Sequence, residues 1–359
     1  MIWSYLKRGL LVLLLLAGSA QAEDIDIYAG AGSTTGTDAP QLMFVLDTSA
    51  NFSASASSQR CSITPSGVVK TDGTGTAATL LDGQAAALAQ CGLYAALSAL
   101  PATSSATFSV GIMGFNGAGM EQFNPSSNTL TASCVGEAGG CLLMPLTPFT
   151  RANQTRMLEW IRCWTTTHGS KDSSCAVIHN LQSNNHANGA AMQETWAYYT
   201  GHTGISGRSY STIAPSVGCT GRYVVLIGNA NHHNSKPGDQ TNDANSPRGP
   251  LEGRSSNAAQ WANPPASTKE KTLITDTIST SCGSPAVLET SESKGAYALN
   301  WALYMKGQGI KVDSIGILGS TCNTEYAAHL TKLGSTEVGG GQYFAVNNAD
   351  ELSAAIRTV

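Results

Sequence analysis

Gln41-Leu42-Met43-Phe44-Val45-Leu46-Asp47-Thr48-Ser49-Ala50-Asn51 is the stretch that decides the fold. From Gln41 to Asp47 it is a continuous apolar run ending in an acid, the pattern of a strand covered on both faces in a parallel sheet. A strand with one wet face would alternate instead. Similar runs recur downstream at Phe108 to Phe115 (FSVGIMGF), Tyr223 to Ile227 (YVVLI), Lys311 to Leu318 (KVDSIGIL) and Gly341 to Val346.

Helical spacing fills the intervals. Gln84 to Leu100 carries Leu88, Cys91, Leu93, Leu97 and Leu100 and stops at Pro101, which cannot continue a helix. Thr150 to Thr165, Ala187 to Tyr199 (an amphipathic pattern), Ser293 to Gly307, Asn323 to Gly334 and Asn348 to Val359 read the same way. Asp350 and Glu351 lie near the positive end of the last helix. Apolar strands alternating with helices predict an α/β fold, a doubly wound, mainly parallel sheet with helices on both faces. Ligands of such sheets gather beyond the carboxyl ends of the strands, where strand order reverses, so the residues after Leu46 and Ile227 are the ones to interrogate.

Two segments interrupt this order. Ala50 to Gly83 is rich in Ser, Thr and Gly and reads as a long exposed loop, in which Asp82 could cap the following helix. Gly228 to Ser291 contains Pro237, Pro247, Pro250, Pro264 and Pro265 among Asn, Ser and Gly and reads as a surface insertion with one short helical stretch near Thr272 to Thr277.

Composition narrows the function. Only 12 % of the 359 residues are charged, against about 25 % in an average domain, and Gly supplies 38 positions. Lys and Arg total 20 against 24 Asp and Glu, with no basic cluster, so nucleic acid is a poor partner. Residues 1–22 carry Lys7 and Arg8, an apolar run from Gly9 to Ala17 and the small-x-small sequence Ala20-Gln21-Ala22, the signature of a cleaved secretory signal. The run is too short for a stable membrane span, and residues 23–40 read as a polar leader ahead of a domain over 41–359.

All nine cysteines follow the signal, and disulfides persist outside the cytoplasm. Proximity suggests the pairs Cys134 with Cys141, Cys163 with Cys175, and Cys61 with Cys91. An odd total leaves at least one thiol without an intrachain partner. No C-x-x-C, G-x-S-x-G, H-E-x-x-H or P-loop pattern occurs, which removes the commonest redox, hydrolase and nucleotide signatures.

Chemistry concentrates after the first strand. Asp47, Ser49 and Asn51 are short oxygen-bearing side chains at alternate positions, so they can converge on one hard cation. The alternative is a turn in which Asp47 and Ser49 hydrogen-bond free backbone amides. The segment resembles the D-x-S-x-S metal-ion-dependent adhesion motif of von Willebrand factor A domains, with Asn51 in place of the last serine. That resemblance implies two further positions. Asn188 stands where the family has a threonine loop, and Asn229, after the strand Tyr223 to Ile227, where the family has a second aspartate. Mg²⁺ or Mn²⁺ would then be held by Asp47, Ser49, Asn51, Asn188 and Asn229 with a single carboxylate, and a vestigial site is the other reading. As a surface acid, Asp47 would contribute little to stability.

Further likenesses are spread along the chain. Glu23-Asp24-Ile25-Asp26-Ile27-Tyr28, CGLYAALSALP at Cys91 to Pro101, FSVGIMGFN at Phe108 to Asn116, GAAMQETWAYYTG at Gly189 to Gly201, YVVLIGNAN at Tyr223 to Asn231 and GGGQYFAVNNADELSAAI at Gly339 to Ile356 resemble, in order, the PilY/PilC-type tip-associated adhesins of bacterial type IV pili. The resemblance implies a non-enzymatic module exported through the inner membrane to the periplasm and then the cell surface or pilus tip. There it would prime pilus assembly with minor pilins or other tip components and contact host or abiotic surfaces. Family members usually continue into a β-propeller with a calcium loop; no D-x-D-x-D-G loop occurs in these residues, so calcium-controlled retraction is not carried over. One rival is an exported hydrolase using Asp47 with His232 or His233, which needs a base and a nucleophile within hydrogen-bond reach. Another is a secreted A-domain binding protein unrelated to pili.

Overall fold

The computed structural model describes residues 39–49, 61–64, 66–70, 80–81, 85–115, 120–132, 134, 139–165, 175, 179–181, 188–216, 221–229, 277–287, 296–318 and 322–359. The signal, the leader up to residue 38, Asn51, Asp82, Cys219, His232, His233 and most of the insertion lie outside them. The main elements in chain order are β1 (Gln41–Leu46), α1 (Ala85–Ala99), β2 (Ser109–Phe115), β3 (Gly140–Pro148), α2 (Arg151–Arg162), α3 (Asn188–Thr200), β4 (Arg222–Asn229), α4 (Ala296–Gly307), β5 (Ile310–Ile317), α5 (Thr324–Gly334), β6 (Gly340–Val346) and α6 (Ala349–Thr358).

The six strands form one sheet in the order β6-β5-β4-β1-β2-β3. All neighbours are parallel except β2 and β3. This is the doubly wound, mainly parallel α/β fold that the sequence predicts. β1 is central: Leu46 pairs with Ile227 of β4 on one side and Gly114 of β2 on the other. The chain builds outward from β1 through β2 to β3, then returns to the far side of β1 with β4, so strand order reverses between β1 and β4.

Period-two alternation divides the core. Met43, Val45, Val224, Leu226, Ile310 and Val312 face α3, α4 and α5, whereas Phe44, Leu46, Val225, Ile227, Ile315 and Ile317 face α1, α2 and α6. All twelve are essentially fully buried, and burying each such side chain contributes roughly 1.5–3 kcal/mol. The continuous apolar runs thus have the cause inferred for them: both faces are covered.

Several elements depart from the sequence reading. β3 is an unpredicted edge strand; it contains Pro145 and Pro148, and its pairing with β2 shifts register twice. Proline cannot donate to a ladder, which is why an edge accommodates it. Within the expected loop Ala50 to Gly83, Cys61–Ile63 is a buried strand paired antiparallel with Val69–Lys70 and Leu80–Leu81, and its Cys61–Cys91 bridge ties it to α1. Helix α2 ends at Arg162, and Trp164–Thr165 pairs with His179–Asn180 instead of extending it. Gly228 and Asn229, placed by sequence at the start of the insertion, belong to β4, whose pairing with β5 continues through Gly228↔Gly316 and Asn229↔Ile317. The expected helix over Thr272 to Thr277 lies outside the described residues save for Thr277, which opens the strand Thr277–Ile278.

Helix α3 is not amphipathic either: every residue from Asn188 to Tyr199 is buried. The segment after it folds back and donates to Gln193 and Glu194, while Gln193 Nε2 stays buried without a hydrogen-bond partner. Gln193 Oε1 accepts from the Ile205 amide at 2.9 Å, while Glu194 accepts from the Ser206 amide at 3.0 Å, the Ser206 hydroxyl at 2.6 Å and the Tyr210 hydroxyl at 2.7 Å. Burial pushes the Glu194 carboxyl above its ordinary range.

Four disulfides form: Cys61–Cys91, Cys134–Cys141, Cys163–Cys175 and Cys282–Cys322. The first three are the pairs suggested by proximity; the fourth joins residues 40 apart in sequence. Peptide mapping of non-reduced protein should recover all four. Replacing Cys61 and Cys91 by serine should lower the unfolding free energy by about 2–4 kcal/mol in denaturant titration.

Candidate functional site

The reversal of strand order brings the carboxyl ends of β1 and β4 side by side, and the turn after β1 sits between them. The Asp47 amide donates to the Ile227 carbonyl at 3.0 Å, continuing the β1–β4 ladder by one residue. Next, Thr48 turns toward β2: its Oγ1 accepts from the Phe115 amide at 3.0 Å and lies 3.3 Å from the Phe115 carbonyl. Asp47, Thr48 and Ser49 are buried, at 3 %, 0 % and 0 % exposure. The expectation of a surface acid at Asp47 is therefore corrected.

Three donors converge on the Asp47 carboxylate. Oδ1 accepts from the Ser49 amide at 3.2 Å, and Oδ2 accepts from the Asn229 amide at 3.2 Å and from the Tyr326 hydroxyl at 2.7 Å. Each donor belongs to a different element, namely the turn after β1, the end of β4 and the first turns of α5. The phenol also meets Asn188, the first residue of α3, with Nδ2 at 3.1 Å and Oδ1 at 3.2 Å. A hydroxyl donates once, and the shorter contact goes to the charged acceptor, so Tyr326 donates to Asp47 and accepts from Asn188 Nδ2.

Of the residues singled out in the sequence, Asp47, Ser49, Asn188 and Asn229 are thus buried together, while Asn51, His232 and His233 lie outside the described residues. The turn reading accounts for the Asp47–Ser49 contact. Tyr326 was not anticipated. The signal for it is local: Asn323 caps α5 by accepting from the Tyr326 amide at 2.9 Å, which fixes Tyr326 in the first turns of a helix that follows a sheet strand. Its entry also depends on Gly228, where a Cβ would come within 3.1 Å of the phenol oxygen and 2.8 Å of Leu330. The Cys282–Cys322 bridge fixes the chain immediately ahead of that cap.

Whether these residues suit a divalent cation is answered by their donors. A carboxylate has about four lone-pair positions, three of which are engaged here. Mg²⁺ sits about 2.0–2.1 Å from its oxygens, so a phenol oxygen 2.7 Å from Asp47 Oδ2 leaves no room for it in that direction. Ser49 Oγ is buried without a hydrogen-bond partner. Among the described residues no group of three or more His, Cys, Asp or Glu side chains is placed to hold a metal. In this arrangement the four described residues of that set do not fit a bound cation, and Asn51 lies outside the described residues.

One turn along α5, His329 stacks on Tyr326 with ring centroids 6.0 Å apart. It is fully buried with neither ring nitrogen hydrogen-bonded, and burial drives its pKa down to about 3. It packs as a neutral ring that keeps the phenol in place.

No family model matches this chain, and no curated protein matches it. Among solved structures, it is similar to the pilus adhesin SpaC from Lactobacillus rhamnosus GG, at 10 % identity and a TM-score of 0.39 over 90 % of this chain and 30 % of that one. It is also similar to the PilB minor pilin from Streptococcus sanguinis (13 %, TM-score 0.39, 90 % and 61 %). A third similar structure is proximal thread matrix protein 1 from the mussel byssus with a zinc-occupied MIDAS motif (10 %, TM-score 0.34, 90 % and 45 %). The chain spans less than two thirds of the length of each. Scores and identities this low transfer neither ligand nor partner.

Two stability measurements test the site. Asp47→Ala leaves the Tyr326 hydroxyl and two buried amides without their acceptor and should cost about 3 kcal/mol or more, whereas Asp47→Asn keeps an acceptor oxygen and should cost less. For His329 the unfolded chain takes up a proton near pH 6.5 and the folded one only near 3, so its contribution is intact above 6.5 and is lost as pH falls, by about 1.4 kcal/mol per unit. Acid denaturation of His329→Met should be correspondingly shallower than that of the wild type.

Proposed function

We propose that this chain is an exported, non-enzymatic adhesion and pilus-assembly module of the PilY/PilC type, with residues 41–359 forming a von Willebrand factor A-like domain. It binds minor pilins or other pilus tip components, and host or abiotic surfaces, through the edge of the sheet where β1 and β4 end. The observation that carries this reading is the position of Asp47: the segment resembling an adhesion motif opens at the reversal of strand order, with Asn188 and Asn229 beside it. The ordered series of short likenesses from Glu23 to Ile356 supports the assignment to type IV pili.

Four disulfides fit an oxidising compartment, and no described helix is long and apolar enough to cross a membrane. The described partners of Asp47 are two amides and a phenol, and His232 and His233, which the hydrolase reading needs, lie outside the described residues.

A strain lacking the gene should lose surface pili and attachment, and both should return when the gene is supplied in trans. Normal piliation and attachment in the deletion strain would sink the assignment.

A further inference from the structure

We propose that the Tyr326 hydroxyl occupies the position a cation would take beside Asp47, so that the site works as a metal-free, hydrogen-bonded substitute for an adhesion-type metal centre. This deepens the functional reading above and rests on it only for the site's purpose.

Three observations carry it. First, the phenol oxygen is 2.7 Å from Asp47 Oδ2 and 3.2 Å from Asn188 Oδ1, between two of the oxygens that a bound ion would bridge. Second, its hydrogen bonds match that place: it donates to the charged oxygen and accepts from the Asn188 amide, which a cation would instead have approached through its oxygen. Third, the ring is fixed. Tyr326 is 4 % exposed, its amide is held by the Asn323 cap, His329 stacks on it and Gly228 leaves the room it needs. A buried phenol held from four directions does not yield to an ion by a simple rotamer change.

Charge agrees with geometry. A divalent ion with only Asp47 to neutralise it keeps a net positive charge in a buried setting, which is costly. With a neutral hydroxyl in its place, the single negative charge of Asp47 remains and is stabilised by three hydrogen-bond donors. Ser49 Oγ, another member of the set, is buried without a hydrogen-bond partner.

The experiment compares Mn²⁺ uptake by wild type, Tyr326→Phe and the double variant Tyr326→Phe/Asp47→Asn, by calorimetry and by electron paramagnetic resonance of the free ion. Wild type should take up no Mn²⁺ up to about 1 mM, the weak end for extracellular cation sites, and its melting temperature should not respond to EDTA. Tyr326→Phe keeps the ring but frees Asp47 Oδ2, and should bind Mn²⁺ at least roughly tenfold more tightly than wild type, with the gain removed in the double variant. Sub-millimolar uptake by wild type would overturn the proposal. So would uptake by neither wild type nor a folded Tyr326→Phe, because the hydroxyl would then not be what keeps the ion out. Should Tyr326→Phe fail to fold, wild type alone decides through NMR. Paramagnetic broadening of the Tyr326 ring signals by Mn²⁺ would refute the substitution, and unbroadened signals support it. None of these readouts involves pili or attachment, so their failure is distinct from failure of the functional assignment.

Discussion

A carboxylate that is almost fully buried has to be surrounded by donors, and Asp47 obtains its three from parts of the chain far apart in sequence. One comes from its own turn, one from the end of β4 and one from α5. Because β1 is the central strand, satisfying this single charge fixes the end of β1, the register of β4 against it and the seating of α5 over the strands beyond. Thr48 extends the arrangement to β2 through Phe115. The reversal of strand order between β1 and β4 leaves a gap at the carboxyl ends of both, and Asp47 with its donors fills it.

Much of the fold was legible because burial on two faces leaves an unambiguous mark. Runs such as LMFVL and YVVLI have no polar alternation, and helices with caps such as Asn323 and Asn348 begin where those residues stand. β3 was hidden for the opposite reason: an edge strand with two prolines and shifted pairing carries neither a continuous apolar run nor clean alternation. Helix α3 was misread because its Glu194 is satisfied by a segment that folds back over it, and no local pattern distinguishes Glu194 bonded to Ser206 and Tyr210 from Glu194 in water.

The site divides along the same line. Asp47 and Ser49 were singled out from a short motif that can be read locally, Asn188 and Asn229 from the resemblance to von Willebrand factor A domains, and the structure buries all four together. Tyr326 was not, because its partner is 279 residues away and nothing in Asn-Thr-Glu-Tyr distinguishes a phenol aimed at a carboxylate from one packed in a core. The bridge Cys282–Cys322 was missed similarly, since proximity in sequence favours near neighbours and this pair is 40 residues apart. Long-range contacts set by topology are the information that a one-dimensional pattern lacks.

A cation in an adhesion-type site attracts a partner's carboxylate by offering open coordination positions. If Tyr326 stands in its place, the centre carries only the buried negative charge of Asp47, hydrogen-bonded within the protein, and it exerts no pull on an acidic ligand. Recognition then depends on shape and on the segments that follow the strands, which in this chain are rich in Ser, Thr, Asn and Gly. Such side chains make many weak hydrogen bonds and few strong ionic ones, so individual contacts are short-lived and strength has to come from their number. For a module proposed to act at a pilus tip, where many fibres meet one surface, multiple weak contacts suffice for firm attachment, because effective concentration multiplies them. Under the same reading, the buried Asp47 cluster holds the ends of β1 and β4 and the start of α5 together instead of making the contact itself.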